Sequence, residues 1–344
     1  MTSPRFNFVI DCSDVALAEY LRLDAESAVK VYTRGDLNWC LQTYHILLKR
    51  SKLPIQLSNR MLPGAINIIH SDQLLQQRGD SSAFIVCVRA DYPGRRWAHY
   101  HLVQNKNQLG HNVSFLPHWV QPGLIKRDAA RNSVKRVAYA GEAFNGNLAG
   151  TTDTWKSLLE PHQIEFVTLA GGSWHDLSTI DILVGIRSFD KQPFNTKPPT
   201  KLFGAWHANI PFIGGHDSAF KQVGTPGEDY LLAATPDEAI AAILKLRDNP
   251  ALYAKLVQNG QRKAALYTEE TIAQAWVEAL TGPVMQRYRQ WQSKPLLEQA
   301  RFAALLGMGN LEHEAKQIIK KLVGKKMNPA LWSVATFVKK SLFF

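Results

Sequence analysis

Short apolar runs alternate with amphipathic stretches along the first third of the chain. The runs that predict strands lie at residues 6–12, 55–57, 66–70, 84–88, 101–103 and 113–116. Continuous apolar runs of this length are typical of strands buried on both faces. Residues 38–49, in contrast, place apolar side chains at helical spacing. This alternation predicts a parallel sheet with crossover helices rather than a β-sandwich.

A second series of strands follows the first. Its members lie at residues 134–139, 164–169, 182–186, 212–214 and 231–233. Residues 117–133, between the two series, are rich in proline, charge and turn formers, which is typical of an interdomain linker. The pattern predicts an α/β fold with two Rossmann-like parallel-sheet domains facing a cleft. We expect these domains at residues 1–120 and 121–280, followed at 281–344 by helices and a basic amphipathic tail.

Residues 197–218, KPPTKLFGAWHANIPFIGGHDS, join a helix start to a strand that ends in glycines. The paired prolines can only precede or open a helix, so Lys201 falls in its first turn. Backbone N–H groups at the glycines can approach an anion, and a helix starting near Asp217 or Ser218 adds its positive end. This arrangement predicts a phosphate site at the carboxyl edge of a parallel sheet. Its proposed members are Lys201, Gly215, His216, Ser218 and Ala219.

The segment 201–213 resembles the donor-binding half of GT-B glycosyltransferases. The family pattern reads Pro, Lys, apolar, Glu, apolar, Leu, Ala, Gly, Pro and two β-branched residues. Residues 235–280, with an asparagine-proline break between two helices, are similar to the same family. The resemblance, to the family-four and family-one enzymes, covers about residues 134–280 well and the N-terminal third in outline. One departure is Gly204, which stands where many retaining members carry a glutamate that holds the nucleotide ribose.

Three basic residues are expected to bind the diphosphate of the nucleotide-sugar donor that the resemblance implies. Arg187 ends the strand at 182–186 and lies one loop before Lys197 and Lys201. The three cations can share a diphosphate through charge-assisted hydrogen bonds. The alternative for Arg187 is an ordinary ion pair with Asp181 or Asp190.

Two further donor-binding candidates follow strands of the second domain. Gly141 comes directly after the strand at 134–139, in a loop rich in small residues that can lie close to a diphosphate. Trp174, in AGGSWH after the strand at 164–169, either forms one wall of the nucleobase slot or closes the edge of the sheet.

Asp91 is the first candidate for the base that deprotonates an acceptor hydroxyl. It follows the strand at 84–88, in a loop where Arg89, Arg95 and Arg96 can hold an anionic acceptor. The alternative is a loop aspartate that pairs with those arginines. Other acids and bases at strand ends are Asp11, His70 and Asp72. If the enzyme retains configuration, the resemblance implies that the donor phosphate takes the proton instead.

Composition agrees with a two-domain intracellular enzyme. The chain has 344 residues, 45% of them apolar, which is enough for ordinary cores. Its three cysteines show no paired spacing, so we expect reduced thiols. The N-terminus lacks the basic start and long apolar core of a signal peptide, which favours the cytoplasm. His99 and His101 have no evident third ligand, and we expect no metal and no cofactor.

Positive charge is concentrated at the end of the chain. Net charge is +11, and after Glu314 there are seven lysines and no acid, interleaved with apolar residues. Such a tail either lies on an anionic membrane surface or packs back on the first domain. Nucleic acid is not an expected partner, because no recognised binding module is present.

These features predict a metal-independent glycosyltransferase that moves a sugar from a nucleotide-sugar onto a glycan or lipid-linked acceptor. Its pathway would be cell-surface polysaccharide or glycolipid synthesis. Two alternatives stay open: a catalytically silent nucleotide- or glycan-binding protein on the same fold, and a nucleotide-sugar epimerase.

Overall fold

A six-stranded parallel sheet forms the centre of the first domain. The computed structural model describes residues 4–143, 147–170 and 173–323, with side chains as far as residue 318. The sheet has the order β2-β1-β3-β4-β5-β6, and each pair of neighbours is parallel. Its strands are β1 Phe6–Val9, β2 Ile55–Ser58, β3 Ile66–His70, β4 Phe84–Val88, β5 Tyr100–Val103 and β6 Val113–Phe115.

A five-stranded parallel sheet forms the centre of the second domain. Its order is β11-β10-β9-β7-β8, and all its pairs are parallel. Its strands are β7 Arg136–Ala140, β8 Glu165–Leu169, β9 Ile182–Gly185, β10 Phe212–Gly214 and β11 Leu231–Leu232. The predicted α/β architecture, two Rossmann-like parallel-sheet domains facing a cleft, is confirmed.

The strand order reverses once in each sheet. In the first domain β1 lies between β2 and β3, and in the second β7 lies between β8 and β9. Where the order reverses, successive crossovers leave on opposite faces of the sheet, and a crevice opens beyond the carboxyl ends of the two central strands. The residues that follow β7 and β9 therefore border the natural ligand crevice of the second domain.

Eleven α-helices lie within the described residues. They are α1 Asp14–Arg22, α2 Gln42–Arg50, α3 Ser71–Gln77, α4 Thr152–Leu159, α5 Thr200–His207, α6 Ser218–Val223, α7 Pro236–Asp248, α8 Pro250–Ala264, α9 Glu269–Ala279, α10 Met285–Ser293 and α11 Pro295–Val323. Lys201 lies in the first turn of α5, as predicted. The asparagine-proline break opens α8, where the Asn249 side chain accepts a hydrogen bond from the Leu252 N–H at 2.9 Å.

Helix α9 packs on the first domain although it follows the second domain in the chain. Trp276 on α9 is fully buried among first-domain residues. Its ring stacks on Trp119 with centroids 6.5 Å apart and lies 6.3 Å from the ring of Phe8. The same core continues into α10 through Tyr288. The chain therefore returns to its first domain after completing the second. The domain boundaries expected from the sequence, including the one at residue 280, stay a prediction.

Helix α11 continues along the first domain. Phe302 is buried in a cluster with Trp97 and Cys87, and Gly309 lets the helix approach the ring of Trp97. The lysines of the predicted basic tail from residue 325 onward lie outside the described residues. Among the described residues, none of the helices is both long and apolar enough to span a membrane.

Candidate active site in the interdomain cleft

A cavity of about 330 Å³ opens between the two domains at the crevice beside β7 and β9. The first domain contributes residues of the loop after β4 and of the turn directly before α2. The second domain contributes the ends of its strands and the first turn of α5. The residues that carry its chemistry are Asp91, His118, Tyr139, Gly141, Trp174, Arg187, Lys197 and Lys201. The cleft thus brings together Asp91, the candidate base, and five of the predicted donor-binding residues from both domains.

Gly141 makes the turn at the end of β7. Its φ of +130° lies in a region that side-chain-bearing residues rarely adopt, and its N–H donates to the Leu169 carbonyl at 2.8 Å. A Cβ at this position would lie 3.7 Å from the Lys201 Nζ. Glycine therefore keeps the space beside that ammonium open, which is what close approach of a phosphate requires.

Lys201 is a cleft cation whose ammonium group faces an aromatic ring rather than a carboxylate. Its Nζ lies 4.7 Å from the centre of the Tyr139 ring, and no ion pair to it occurs among the described side chains. Burial, reinforced by the nearby Arg187 charge, lowers the pKa of Lys201 to about 7. An anion that enters the cleft would supply the counter-charge that Lys201 lacks.

Arg187 makes a buried ion pair, but with neither of the two partners considered from the sequence. Its Nε donates to Asp217 Oδ2 at 2.7 Å. Asp181 instead binds Arg131, and Asp190 accepts from Ser188. The alternative of pairing with Asp181 or Asp190 is not what the structure shows, because the loop after β10 returns Asp217 to the end of β9. Burial raises the pKa of Asp217, although the Arg187 charge opposes the rise.

Asp91 reaches across the cleft to the second domain. Its Oδ2 accepts a hydrogen bond from the Lys197 Nζ at 2.7 Å, and 40% of its side-chain surface is exposed. Burial favours the neutral acid, but the hydrogen bond and charge of Lys197 outweigh it and hold the pKa of Asp91 below its usual value. The alternative of pairing with the neighbouring arginines is therefore not what the structure shows. Asp91 is ionised at neutral pH and paired with Lys197 of the second domain.

His118 is a cleft residue that the sequence reasoning missed. It lies just after β6, in the segment that the sequence pattern indicated as a linker. This position at the end of a strand was the only feature of the sequence that could have identified it. Its Nδ1 donates to the Trp119 carbonyl at 2.6 Å, because a carbonyl oxygen can only accept. Burial lowers the pKa of His118 to about 4, so the ring is neutral at pH 7. Its Nε2 is consequently an unprotonated acceptor.

Four predicted phosphate ligands lie outside the cleft lining, namely Gly215, His216, Ser218 and Ala219. The Gly215 N–H donates to the Gly185 carbonyl, and the Ser218 N–H to the Pro193 carbonyl. The His216 Nδ1 lies 3.2 Å from Lys221 Nζ, and Ala219 is buried. Their role as donor ligands stays a prediction.

A polar contact between the two domains involves Ser218, one of these four residues. The Asn105 side chain, fully buried, donates to Ser218 Oγ at 2.8 Å and to the Lys197 carbonyl at 3.1 Å, and accepts from Gln222 at 2.9 Å. We call Asn105, Ser218 and Gln222 the interdomain clasp. The clasp holds the segment that carries Lys197 against the first domain.

Together, two acidic residues, Asp91 and Glu142, and three basic side chains line a single crevice. Lys201 is without a described anionic partner, and Arg187 and Lys197 each share one carboxylate. Such a cluster can bind a diphosphate and stabilise negative charge that develops on it. Across the described residues, no group of three or more His, Cys, Asp or Glu side chains is arranged to hold a metal ion.

Comparison with known proteins finds structural neighbours only. No family model and no curated protein matches the chain. TarM of S. aureus is 10% identical with a TM-score of 0.49, over 71% of this chain and 58% of TarM. Anabaena HepE, solved with UDP, is 12% identical with a TM-score of 0.48, over 81% and 100%. The pneumococcal O-GlcNAc transferase GtfA, solved with UDP and GlcNAc, is 12% identical with a TM-score of 0.45, over 64% and 57%. The chain thus spans less than two thirds of TarM and of GtfA.

Proposed function

We propose that this protein transfers a sugar from a nucleotide-sugar donor to a hydroxyl group of a glycan or lipid-linked saccharide. The observation that carries the proposal is the meeting of Lys201, Arg187 and Lys197 at the crevice of the second domain, opposite Asp91 of the first. A diphosphate leaving group needs such positive charge, and an acceptor needs a second domain facing it.

In this proposal the donor diphosphate lies beside Gly141, with Lys201 and Arg187 on its oxygens. As the glycosidic bond to the diphosphate breaks, negative charge grows on the leaving oxygen. A cation that is already buried and poorly paired stabilises this charge with little reorganisation. Trp174, on the cleft wall, would contact the base.

Asp91 would take the proton of the acceptor hydroxyl. In the free protein Lys197 holds its pKa low, which makes it a weak base. A bound diphosphate would compete for Lys197, and Asp91 would then lose its cation and become more basic. Donor binding would in this way prepare the base. If transfer retains configuration, the donor phosphate takes the proton and Asp91 only orients the acceptor.

The finer parts of the proposal come from the sequence. The resemblance to GT-B enzymes supports transfer of a hexosyl group without a divalent metal and a role in cell-surface polysaccharide or glycolipid synthesis. The character of the N-terminus and the basic tail supports a cytoplasmic protein that meets an anionic membrane.

One observation favours a second candidate, a silent nucleotide-binding protein. Gly204 lines the cleft, and a Cβ there would meet no atom within 4 Å in the described part of the chain. A carboxylate for the ribose would therefore fit, but it is absent. Turnover separates the two candidates, because a silent protein binds nucleotide without releasing it from a sugar donor.

The test is thermal stabilisation by uridine, guanosine, adenosine, cytidine and thymidine diphosphates and their sugars, without added metal. The proposal predicts a selective rise in Tm with one base, which is lost in Lys201→Met and kept in Lys52→Met, an exposed control. Equal shifts in both variants, or no shift with any nucleotide, would contradict a donor site at Lys201.

A further inference from the structure

A second concave site lies on the first domain, between the loop after β4 and helix α11. Its volume is about 280 Å³. The residues that give it its character are Arg89, Arg95, Arg96, His101, Glu312 and Lys316. We call it the basic pocket. None of these residues lines the interdomain cleft, so the two sites are separate.

Positive charge dominates the lining of the basic pocket. Four cationic side chains face the single carboxylate of Glu312, which Arg96 already binds. Burial lowers the pKa of His101 to about 4, so that its ring contributes no charge at neutral pH. The basic pocket therefore has a net positive charge, because its described lining contains four basic side chains and one carboxylate.

Arg89 is the least satisfied cation of this pocket. Its Nε is enclosed from water and has no hydrogen-bond partner among the described residues. The guanidinium packs close to Gly94, where a Cβ would lie 3.4 Å from that nitrogen. Burial also lowers the pKa of Arg89. A partly buried cation without a counter-charge is unfavourable, and a bound anion removes the penalty.

Arg95 lies beside it with a fixed side chain. Its Nε donates to the Ser71 carbonyl at 2.9 Å, and its backbone lies against the His101 Nε2. These contacts hold the guanidinium in place while leaving its terminal nitrogens without a described partner. Two preorganised guanidinium groups are the usual recognition elements for phosphate and sulfate oxygens.

A sharp turn connects the basic pocket to the proposed base. Ala90 has a φ of +49°, an uncommon conformation for a residue with a side chain. The turn sends Arg89 to the basic pocket and Asp91 to the cleft. The Cα atoms of these two residues cannot be more than about 7 Å apart. The two sites therefore lie on either side of the same turn.

We propose that the basic pocket binds a phosphate or sulfate group carried by the acceptor saccharide, with Arg89 and Arg95 as its ligands. This inference rests on the proposed function, because it assigns the substrate class of that activity. A concave site with a half-buried arginine suits a single oxyanion better than the flat surface of a membrane.

The first test measures anion binding directly. Sodium phosphate and sodium sulfate should raise the Tm of the wild type in a saturable way at constant ionic strength. Arg89→Gln should lower this increment by the part that the basic pocket supplies, whereas Arg22→Gln, the same charge change at an exposed end of α1, should keep all of it. Because the Arg89 side chain makes no described hydrogen bond and the backbone bonds are kept on substitution, the variant should fold with an unchanged or higher Tm without anion. If it does not fold, Arg95→Gln serves instead.

The second test identifies what carries the anion. A sulfated tetrasaccharide should bind the wild type at least about tenfold more tightly than Arg89→Gln, the loss expected for a charged hydrogen bond. Its desulfated form should bind both proteins equally weakly. Equal binding of both saccharides to the wild type, or equal loss in Arg22→Gln, would overturn the proposal. So would Arg89-dependent binding to phosphatidylglycerol vesicles without binding of the sulfated saccharide, which would indicate a lipid headgroup.

The stabilisation by nucleoside diphosphate separates this proposal from the function on which it rests. Arg89→Gln should retain that stabilisation, because Arg89 does not line the cleft. Loss of saccharide binding with nucleotide stabilisation intact supports the basic pocket. Nucleotide stabilisation without any effect of anions overturns the basic pocket and leaves the donor site standing.

Discussion

Lys201 has an ammonium group that the fold removes from water, and this gives the cleft a pH dependence. Burial lowers its pKa from 10.5 to about 7. Between these two values the unfolded chain holds the proton and the folded chain does not. The Lys201 contribution to the free energy of unfolding therefore rises with pH over this range.

Nucleoside diphosphate affinity should depend on the same proton. Below pH about 7 the Lys201 contribution is constant, and above it the affinity should fall, because the free protein must take up a proton to bind the diphosphate. Lys201→Met should remove this fall and weaken binding at neutral pH by about 2 to 4 kcal/mol. Calorimetric titration of both proteins across pH 6 to 9 measures the effect. If the affinities of the two proteins changed in parallel with pH, Lys201 would not be a ligand of the diphosphate.

Asp91 provides a second prediction at this scale. Asp91→Asn should lower turnover by about 10²- to 10⁴-fold if the carboxylate is the base. Nucleotide affinity should not fall, because Lys197 loses the carboxylate that competes for it. Initial rates and nucleotide titrations measure the two effects. A wild-type rate would show that Asp91 is not the base.

Gly141 provides a test of the turn that exposes the phosphate site. Its φ of +130° makes any side chain strained, so Gly141→Ala should lower the free energy of unfolding by about 1 to 3 kcal/mol. Gly110→Ala is the control, because a Cβ there meets no described atom within 4 Å. Urea unfolding compares them, and equal midpoints would contradict the assigned conformation.

At the scale of elements, strands were more predictable than their neighbours in space. Strands β3, β4 and β10 begin and end at the predicted residues, because each is a short and mostly apolar run. Helix α9 shows the limit. Its apolar face is evident in the sequence, but the pattern does not reveal that Trp276 packs on Trp119, which is far away in the chain.

Truncating the buried ring of α9 should destabilise the first domain. Trp276→Ala removes a fully buried side chain from that core and should lower the free energy of unfolding by about 3 to 5 kcal/mol. Gln274→Ala, on the exposed face of the same helix, should change it by less than about 0.5 kcal/mol. Chemical denaturation followed by near-ultraviolet circular dichroism measures both. Similar values would mean that α9 does not complete the first-domain core.

At the scale of the whole molecule, the candidate site depends on contacts between domains. Strand-end positions identified Arg187 and Asp91, since carboxyl ends of parallel strands share one edge of a sheet, and the paired prolines identified Lys201 in the first turn of a helix. The partners of these residues were not predictable, because Asp91 meets Lys197 across the cleft and Arg187 meets Asp217 through a returning loop. Such pairings depend on how the domains and loops are placed in space, and the spacing of residues along the sequence does not reveal this.

The interdomain clasp should control how the domains close. Asn105→Ala leaves Ser218 and Gln222 without their partner and should weaken closure by about 1 to 3 kcal/mol. The radius of gyration should rise, and donor affinity should fall as Lys197 loses its support. Gln76→Ala, at an exposed position of α3 in the first domain, is the control. Small-angle scattering measures the closure, and an unchanged radius for Asn105→Ala would contradict a role for the clasp.

Sugar transfer at the cleft is tested most directly by release of nucleoside diphosphate from the nucleotide-sugar that stabilises the protein best. The wild type should release it faster when sulfated or phosphorylated saccharides are added, and should form a glycosylated product. Lys201→Met and Asp91→Asn should lose this release, whereas Lys52→Met should keep it. Nucleotide binding without release under any acceptor, or full release by Lys201→Met, would contradict a glycosyltransferase active site in this cleft.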